Sequence, residues 1–275
     1  MFFRLFPPAP SLRTFVRHHM VMHAHYEGAA SGAAIKPMPP APEQCLYFYP
    51  RGQMHTFHYR QQRNIPSPRS ILTGPQVSRV DLKFAPEHLV ICTAFQPGGL
   101  HRLLGVPVKE LFDFSIDSVE VLGPAIEEIN EKLADIHDYT VMVAVVEAFL
   151  LRHLRRLRRA AQPIDHVLPL MLTDLSWQSI DDLANAACLS PRQFERNFVE
   201  RLGITPKLYS RIVRFDRAFR LKERQPELDW LSVALTCGYY DYRHLVRDFR
   251  EFAGVTPPAL LAAETAHTTL LMRQV

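Results

Sequence analysis

The sequence predicts an α+β chain in two main parts, a small β-barrel or sandwich with helices over residues 1–160 and an all-α unit over residues 161–262, followed by a short tail at 263–275. Three observations carry this. Short aromatic and β-branched runs separated by proline fill the first 115 residues, helical periodicity takes over between 116 and 160, and the last hundred residues write one helical unit twice.

The β-rich part comes first. Runs at 45–49, 55–59, 70–73, 77–84 and 89–95 are punctuated by eleven prolines between Pro37 and Pro107, so strands must be short and turns frequent. The segment Phe95-Gln-Pro-Gly-Gly-Leu-His-Arg-Leu-Leu-Gly-Val-Pro107 then closes the sheet and starts helix. From Gly123 to Arg159, Ile126, Ile129 and Leu133 share one helical stripe and Val141, Val145 and Phe149 another. Such helices either pack on the sheet or pair with a second copy. The basic run 152–159 suits a helix C-terminus and a solvated linker, with DNA contact as the lesser reading.

The duplication follows. Ser190-Pro-Arg-Gln-Phe-Glu-Arg-Asn-Phe198…Gly203-Ile-Thr-Pro206 returns as Asp241-Tyr-Arg-His-Leu-Val-Arg-Asp-Phe249…Gly254-Val-Thr-Pro257, at a spacing of 51 residues. In each copy an apolar i, i+4 pair (Phe194 with Phe198, Leu245 with Phe249) faces a core, and Arg192, Arg196, Arg243 and Arg247 lie on the other side. Gly203 and Gly254 stop the helices, and Thr-Pro restarts the chain. A shorter amphipathic segment precedes each copy, at 179–187 and 229–236, which makes two helix-turn-helix units. Gly238 occupies the second turn and Cys188 the first, whose turn is one residue shorter. One long helix over 206–224, with Leu208, Ile212, Phe215 and Phe219 on a stripe, sets the spacing between the units.

Residues from about 163 to 260 resemble the DNA-binding region of AraC/XylS-type transcriptional regulators, on the two units, the linker helix with Arg214 and Ala218, and the run Gly238-Tyr239…Arg247…Phe249…Gly254-Val-Thr-Pro257. The sequence departs from that pattern at Cys188, at Leu245 where an aromatic is usual, and in lacking an arginine after Pro257. The passage at 95–107 is similar to one subgroup of the same family, whose front domain is taken to be a cupin-like sensor. The resemblance implies that each second helix enters a major groove of double-stranded DNA, with RNA polymerase as a further partner, a small-molecule effector at the front domain and a homodimer as possible additions. Carried over residue by residue, the base-reading positions are Arg192, Glu195 and Arg196 in the first copy and Tyr242, Arg243, His244 and Arg247 in the second. Arginine pairs bidentately with guanine and glutamate accepts from cytosine, which suits a G·C-containing site. Lys207, Arg211, Arg214, Arg220 and Arg224 are the expected phosphate contacts.

Charge supports this only locally. Residues 163–275 hold 14 Lys and Arg against 14 Asp and Glu, whereas 190–224 hold ten against four. No stretch of about 18 uncharged apolar residues is present, which argues against a membrane span. Four dispersed cysteines (45, 92, 188, 237) read as reduced thiols, and a cytoplasmic protein is the simplest expectation.

Enzyme signatures are weak. No G-x-S-x-G elbow or phosphate-binding G-x-x-x-x-G-K loop occurs, and no cofactor is expected. His23-Ala-His25-Tyr-Glu27 puts two imidazoles and a carboxylate on one strand face, yet its spacing differs from enzymatic cupins, so structural or surface histidine is the favoured reading. His55 and His58 should point to opposite faces. The leading expectation is therefore a sequence-specific DNA-binding regulator whose front domain, lined by Phe48, Phe57, Phe84 and Phe95, modulates it. The alternative is a metal-dependent cupin-type enzyme domain fused to a DNA-binding tail.

Overall fold

In the computed structural model, which describes residues 1–25, 35–157, 160–173 and 179–272, the N-terminal half folds as two antiparallel sheets and a helical layer. Its strands are β1 (Phe2–Phe6), β2 (Val16–His25), β3 (Ile35–Met38), β4 (Cys45–Arg51), β5 (His55–His58), β6 (Arg63–Pro66), β7 (Ser70–Thr73), β8 (Val80–Lys83), β9 (Glu87–Phe95) and β10 (Ser115–Asp117). Six of them form one sheet in the order β1-β2-β9-β4-β7-β10, and four form the other in the order β3-β8-β5-β6. The architecture is a sandwich with open edges, of the two shapes the sequence allowed.

Strand length explains the asymmetry between the sheets. β2 and β9 pair over almost their whole length, from Val16 opposite Phe95 to His25 opposite Glu87. Every residue of β9 after Glu87 is buried, because both of its faces are covered. One face meets the small sheet through Ala24, Tyr49, Met54, Leu82 and Phe84. The other carries the larger core, where Val21, Leu46, Phe48, Leu89, Ile91 and Phe95 join Ile126, Ile129, Leu133, Met142, Val146, Phe149 and Leu150. The expected phenylalanine lining is thus divided. Phe48 and Phe95 belong to the helix-facing core, Phe84 lies between the sheets, and Phe57 is only half-buried.

Four helices complete this half: α1 (Gly99–Leu104), α2 (Ser118–Leu122), α3 (Pro124–Asp135) and α4 (Tyr139–Arg156). Asp138 caps α4, its carboxylate accepting from the Thr140 and Val141 amides at 2.7 and 3.1 Å. The buried stripe of α4 runs through Met142, Val146, Phe149 and Leu150, so Val141, expected on the apolar face, remains 48% exposed. The helices pack on the large sheet, which accounts for their apolar stripes without a second copy.

The C-terminal half consists of α5 (Pro163–Val167), α6 (Leu170–Thr173), α7 (Ile180–Ala186), α8 (Pro191–Leu202), α9 (Pro206–Arg224), α10 (Trp230–Thr236), α11 (Tyr242–Ala253) and α12 (Pro257–Met272). Both helix-turn-helix units and the linker helix fall where the repeat puts them. Phe194, Phe198, Tyr209, Phe215, Leu245 and Phe249 meet in one core. α12 continues past residue 262 to Met272, through most of the segment read from sequence as a tail. No helix among the described residues is long and apolar enough to cross a membrane.

Candidate nucleic-acid interface

α8 begins with a capping box. The Ser190 hydroxyl accepts from the Gln193 amide while the Ser190 amide donates to Gln193 Oε1 at 3.1 Å, and Pro191 starts the first turn. α11 begins with Asp241, whose carboxylate accepts from the His244 amide and pairs with His244 Nδ1, both at 2.8 Å. These bonds, the backbone one first, hold the Asp241 carboxyl below its usual range. Gly203 and Gly254 end the two helices at φ of 78° and 71°. Each helix is thus fixed at both ends, with its phenylalanine or leucine stripe fully buried.

What remains outside is the opposite face. Arg192, Glu195 and Arg196 are exposed on α8, as are Arg243, His244 and Arg247 on α11. Tyr242 is half-buried, its ring packed against the C-terminal core. Tyr240, which sequence reasoning passed over, is 86% exposed just before α11 and lies 5.9 Å from the His244 ring. Its only sequence signal was a second tyrosine after Gly238-Tyr239.

The two turns share their hydrogen bonds. Leu189 N–H donates to Ala184 O and Tyr239 N–H to Ala234 O, each at 2.9 Å, and the left-handed position is taken by Cys188 at φ 54° and by Gly238 at φ 78°. The cysteine therefore adopts a conformation that suits glycine. The shorter first turn differs only after this point.

The five expected phosphate contacts divide. Lys207 and Arg224 are exposed and enter no ion pair among the described residues. Arg211 is held inside the domain, with Nη2 2.7 Å from Asp248 and 2.6 Å from Glu251. The Glu251 hydrogen bond is the main reason its pKa rises. Arg214 donates to Gly238 O at 3.3 Å and lies over the Tyr239 ring at 4.5 Å. Arg220 is paired with Asp216 one turn away at 3.0 Å. The expectation for Arg211 changes most, because two carboxylates already occupy the guanidinium that was assigned to phosphate.

Three further cations in the basic stretch are structural. Arg201 is buried, donating to Asp165 at 2.7 Å and to Gln162 at 2.6 Å. Arg217 donates to Leu172 O, and Lys222 donates to Pro226 O and Leu228 O at 2.6 and 2.5 Å. Counting charges along the chain thus overstated the basic surface, since net charge does not distinguish a buried strut from a free guanidinium.

The helix ends away from these exposed faces rest on the N-terminal half. The Gln44 side-chain amide donates to Arg201 O at 3.0 Å, and the Arg79 backbone amide donates to Phe252 O at 3.0 Å. Residues 201 and 252 are the same position in the two copies, 51 residues apart. At Gly203 a Cβ would lie 2.7 Å from Val108 O, so the backbones meet directly there. Lys36 reaches Glu264 of α12 at 3.3 Å.

A family model described as a helix-turn-helix domain matches residues 183–263, and one described as a domain of unknown function (DUF6597) matches residues 4–117. An uncharacterized HTH-type transcriptional regulator of Haemophilus influenzae is 25% identical over 233 residues, which are 77% of this chain and 76% of that protein. Among solved structures, the DNA-binding domain of the global transcriptional factor AdpA, in complex with a target DNA, is 30% identical and covers 40% of this chain and 98% of its own, with a TM-score of 0.37. Unsaturated fatty acid bound ToxT from Vibrio cholerae is 10% identical over 90% of this chain and 95% of its own, with a TM-score of 0.47. The duplicated unit, its exposed arginine faces and the matches at 183–263 and across three quarters of a transcriptional regulator make this chain a DNA-binding transcription regulator with an AraC-type helix-turn-helix domain at its C-terminus.

Proposed function

We propose that α8 and α11 read two successive major-groove segments on one face of a duplex, and that the N-terminal domain sets their relative disposition. Arg192, Glu195 and Arg196 serve the first segment, and Arg243, His244 and Arg247, with Tyr242 at the edge, serve the second. A bidentate arginine–guanine pair contributes about 1–3 kcal/mol of discrimination. Lys207 and Arg224 meet phosphates, which orient the protein without specifying sequence. Arg211, Arg214 and Arg220 act indirectly by holding the helices that carry the readers.

One observation carries the regulatory part of this reading. The N-terminal domain grips the same backbone carbonyl in both copies, Arg201 O through Gln44 and Phe252 O through Arg79. A shift of that domain therefore moves both reading helices. A cleft between the halves is lined by Lys36, Glu43 and Tyr47 on one side and Asp216, Arg220 and Glu223 on the other. A small polar effector seated there would bias the arrangement by touching both halves. In this reading RNA polymerase is the protein partner at the promoter, a second copy of the chain binds at neighbouring sites, and the domain acts by binding rather than by catalysis.

The test is selection of bound sequences from a random duplex pool by the full chain at two salt concentrations. The expected result is a site with two contacted segments about 10–10.5 base pairs apart. Recovery of no motif, with binding that vanishes as salt rises, would leave only phosphate contact and overturn the reader assignment.

A further inference from the structure

His23 and His25 of β2 acquire a partner that the sequence could not show. Glu27, the neighbouring carboxylate in the chain, lies outside the described residues. Register instead brings Glu87, at the start of β9, directly opposite His25 and two pairs along, on the same face, from His23. One ligand-type atom from each of His23, His25 and Glu87 lies within 4.8 Å of the others. The two imidazoles have ring centroids 4.7 Å apart.

His23 is nearly buried, and both ring nitrogens are engaged. Its Nε2 is 2.9 Å from Glu87 Oε1, and its Nδ1 is 2.8 Å from the hydroxyl of Tyr139, the first residue of α4. With Nε2–H donating to the carboxylate, Nδ1 accepts from the tyrosine. If an ion replaces the proton on Nε2, the hydrogen moves to Nδ1 and the same hydroxyl accepts it. Tyrosine serves in either role, so the ring keeps its orientation in both states. An outer hydrogen bond that fixes the far nitrogen is what a ligating histidine requires.

We propose that His23, His25 and Glu87 bind a divalent first-row transition ion on the helix-facing side of the large sheet. Two imidazoles and one carboxylate with open positions suit zinc, cobalt or iron in the divalent state. The site stands outside the sandwich, on the face covered by α4, away from the cleft between the domains. Tetrahedral ligand atoms around zinc lie roughly 3.3 Å apart, so the His23–Glu87 pair needs little adjustment and His25 must close by up to about 1.5 Å. His25 is exposed and has room to do so. Arg51, 3.8 Å from Glu87 Oε1, is the competing cation. It is also bound to Ile136 O at 3.1 Å and His137 Nδ1 at 2.6 Å, so release of Glu87 leaves it with partners. The ion would fasten the ends of β2 and β9 to the start of α4. This reading is independent of the DNA-reading assignment.

The test is titration of chelator-stripped full-length protein with Co²⁺, followed by its visible absorption, with Zn²⁺ as competitor. The expected result is one equivalent per chain, displaced by zinc. Affinity should fall at least about tenfold in both His25→Ala and Glu87→Gln, and roughly tenfold in Tyr139→Phe, which removes only the outer hydrogen bond. His25 is exposed, so His25→Ala keeps the fold, and thermal unfolding of each metal-free variant checks it. Absence of stoichiometric binding, or binding that both ligand variants retain, would overturn the site.

Discussion

At residue 197 the first helix-turn-helix unit carries an asparagine, and 51 residues later the second carries Asp248. That one difference organises the two units differently. Asp248 is buried and receives Arg211 at 2.7 Å, the Tyr239 hydroxyl at 3.2 Å and Arg214 at 4.0 Å, which locks α11 to the linker helix. Among the described residues the first unit has no such centre, and its buried charge pair, Arg201 with Asp165, ties α8 to α5 instead. Two copies of one backbone plan are therefore anchored differently within the C-terminal half. The second is fixed to the helix that sets the spacing and the first to its own domain's first helix, while Gln44 and Arg79 tie both to the N-terminal half.

The strongest way to break this contrast is Asp248→Ala. It leaves Arg211 and Arg214 without their shared carboxylate and the buried Tyr239 hydroxyl without an acceptor, so about 2–4 kcal/mol of stability should be lost in denaturant unfolding. The matching change Asn197→Ala should cost within about 0.5 kcal/mol, as expected at a site outside such a network. Equal losses from the two would show that the anchoring is symmetric.

Next in size is the difference between a reader and a strut. Arg247→Ala should weaken binding to the selected site by about 1–3 kcal/mol while leaving binding to unrelated duplex and thermal stability nearly unchanged. Arg211→Ala should do the reverse, lowering stability while keeping sequence preference and the salt slope. Competition binding against a point-substituted site, with melting curves for both proteins, separates these outcomes. A flattened salt dependence in Arg211→Ala would return that residue to the phosphate.

This division shows what could be read from the sequence and what could not. Repeats, caps and stops are local, so Ser190, Gly203, Asp241 and Gly254 identify the helices without any knowledge of packing. The exposed faces follow from the same periodicity. Which arginine is free depends on partners distant in sequence, such as Asp248 for Arg211 and Asp165 for Arg201, and spacing alone does not encode these. In the N-terminal half β2 was read only at its His23–His25 end, because the preceding Arg-His-His-Met-Val-Met run lacks a simple two-residue alternation. The shared face of Phe48 and Phe95 with α3 and α4 was hidden for the same reason, since a sheet covered on both sides has no polar face to mark its orientation. Glu87 is a ligand candidate only through strand register.

The linker helix offers a pH-dependent test of the tie between the halves. Burial in the cleft pushes the Asp216 carboxyl from 3.8 to about 6, although Arg220 opposes the shift. The folded protein thus keeps a proton that the unfolded chain has lost between those values. Stability should fall as pH rises from about 4 to about 6 and level off above, by up to about 3 kcal/mol. Asp216→Asn should flatten that decline, as measured by unfolding at a series of pH values. An unchanged slope would remove Asp216 as its source.

The smallest expected effect tests the two turns themselves. Cys188 holds the left-handed conformation at φ 54° that Gly238 holds at φ 78°, with the same pair of turn hydrogen bonds. For a residue with a Cβ that conformation costs roughly 1–2 kcal/mol, and glycine returns up to about 1 kcal/mol of it through the greater freedom of the unfolded chain. Cys188→Gly should therefore stabilise the first unit by about 0.5 kcal/mol, and Gly238→Ala, where no neighbouring atom lies within 4 Å of the added Cβ, should destabilise the second by about 1 kcal/mol from backbone strain alone. The two substitutions make the turns alike in opposite directions. If Cys188→Gly instead destabilises, the exposed thiol contributes something beyond its backbone angle, and the two turns differ in more than length.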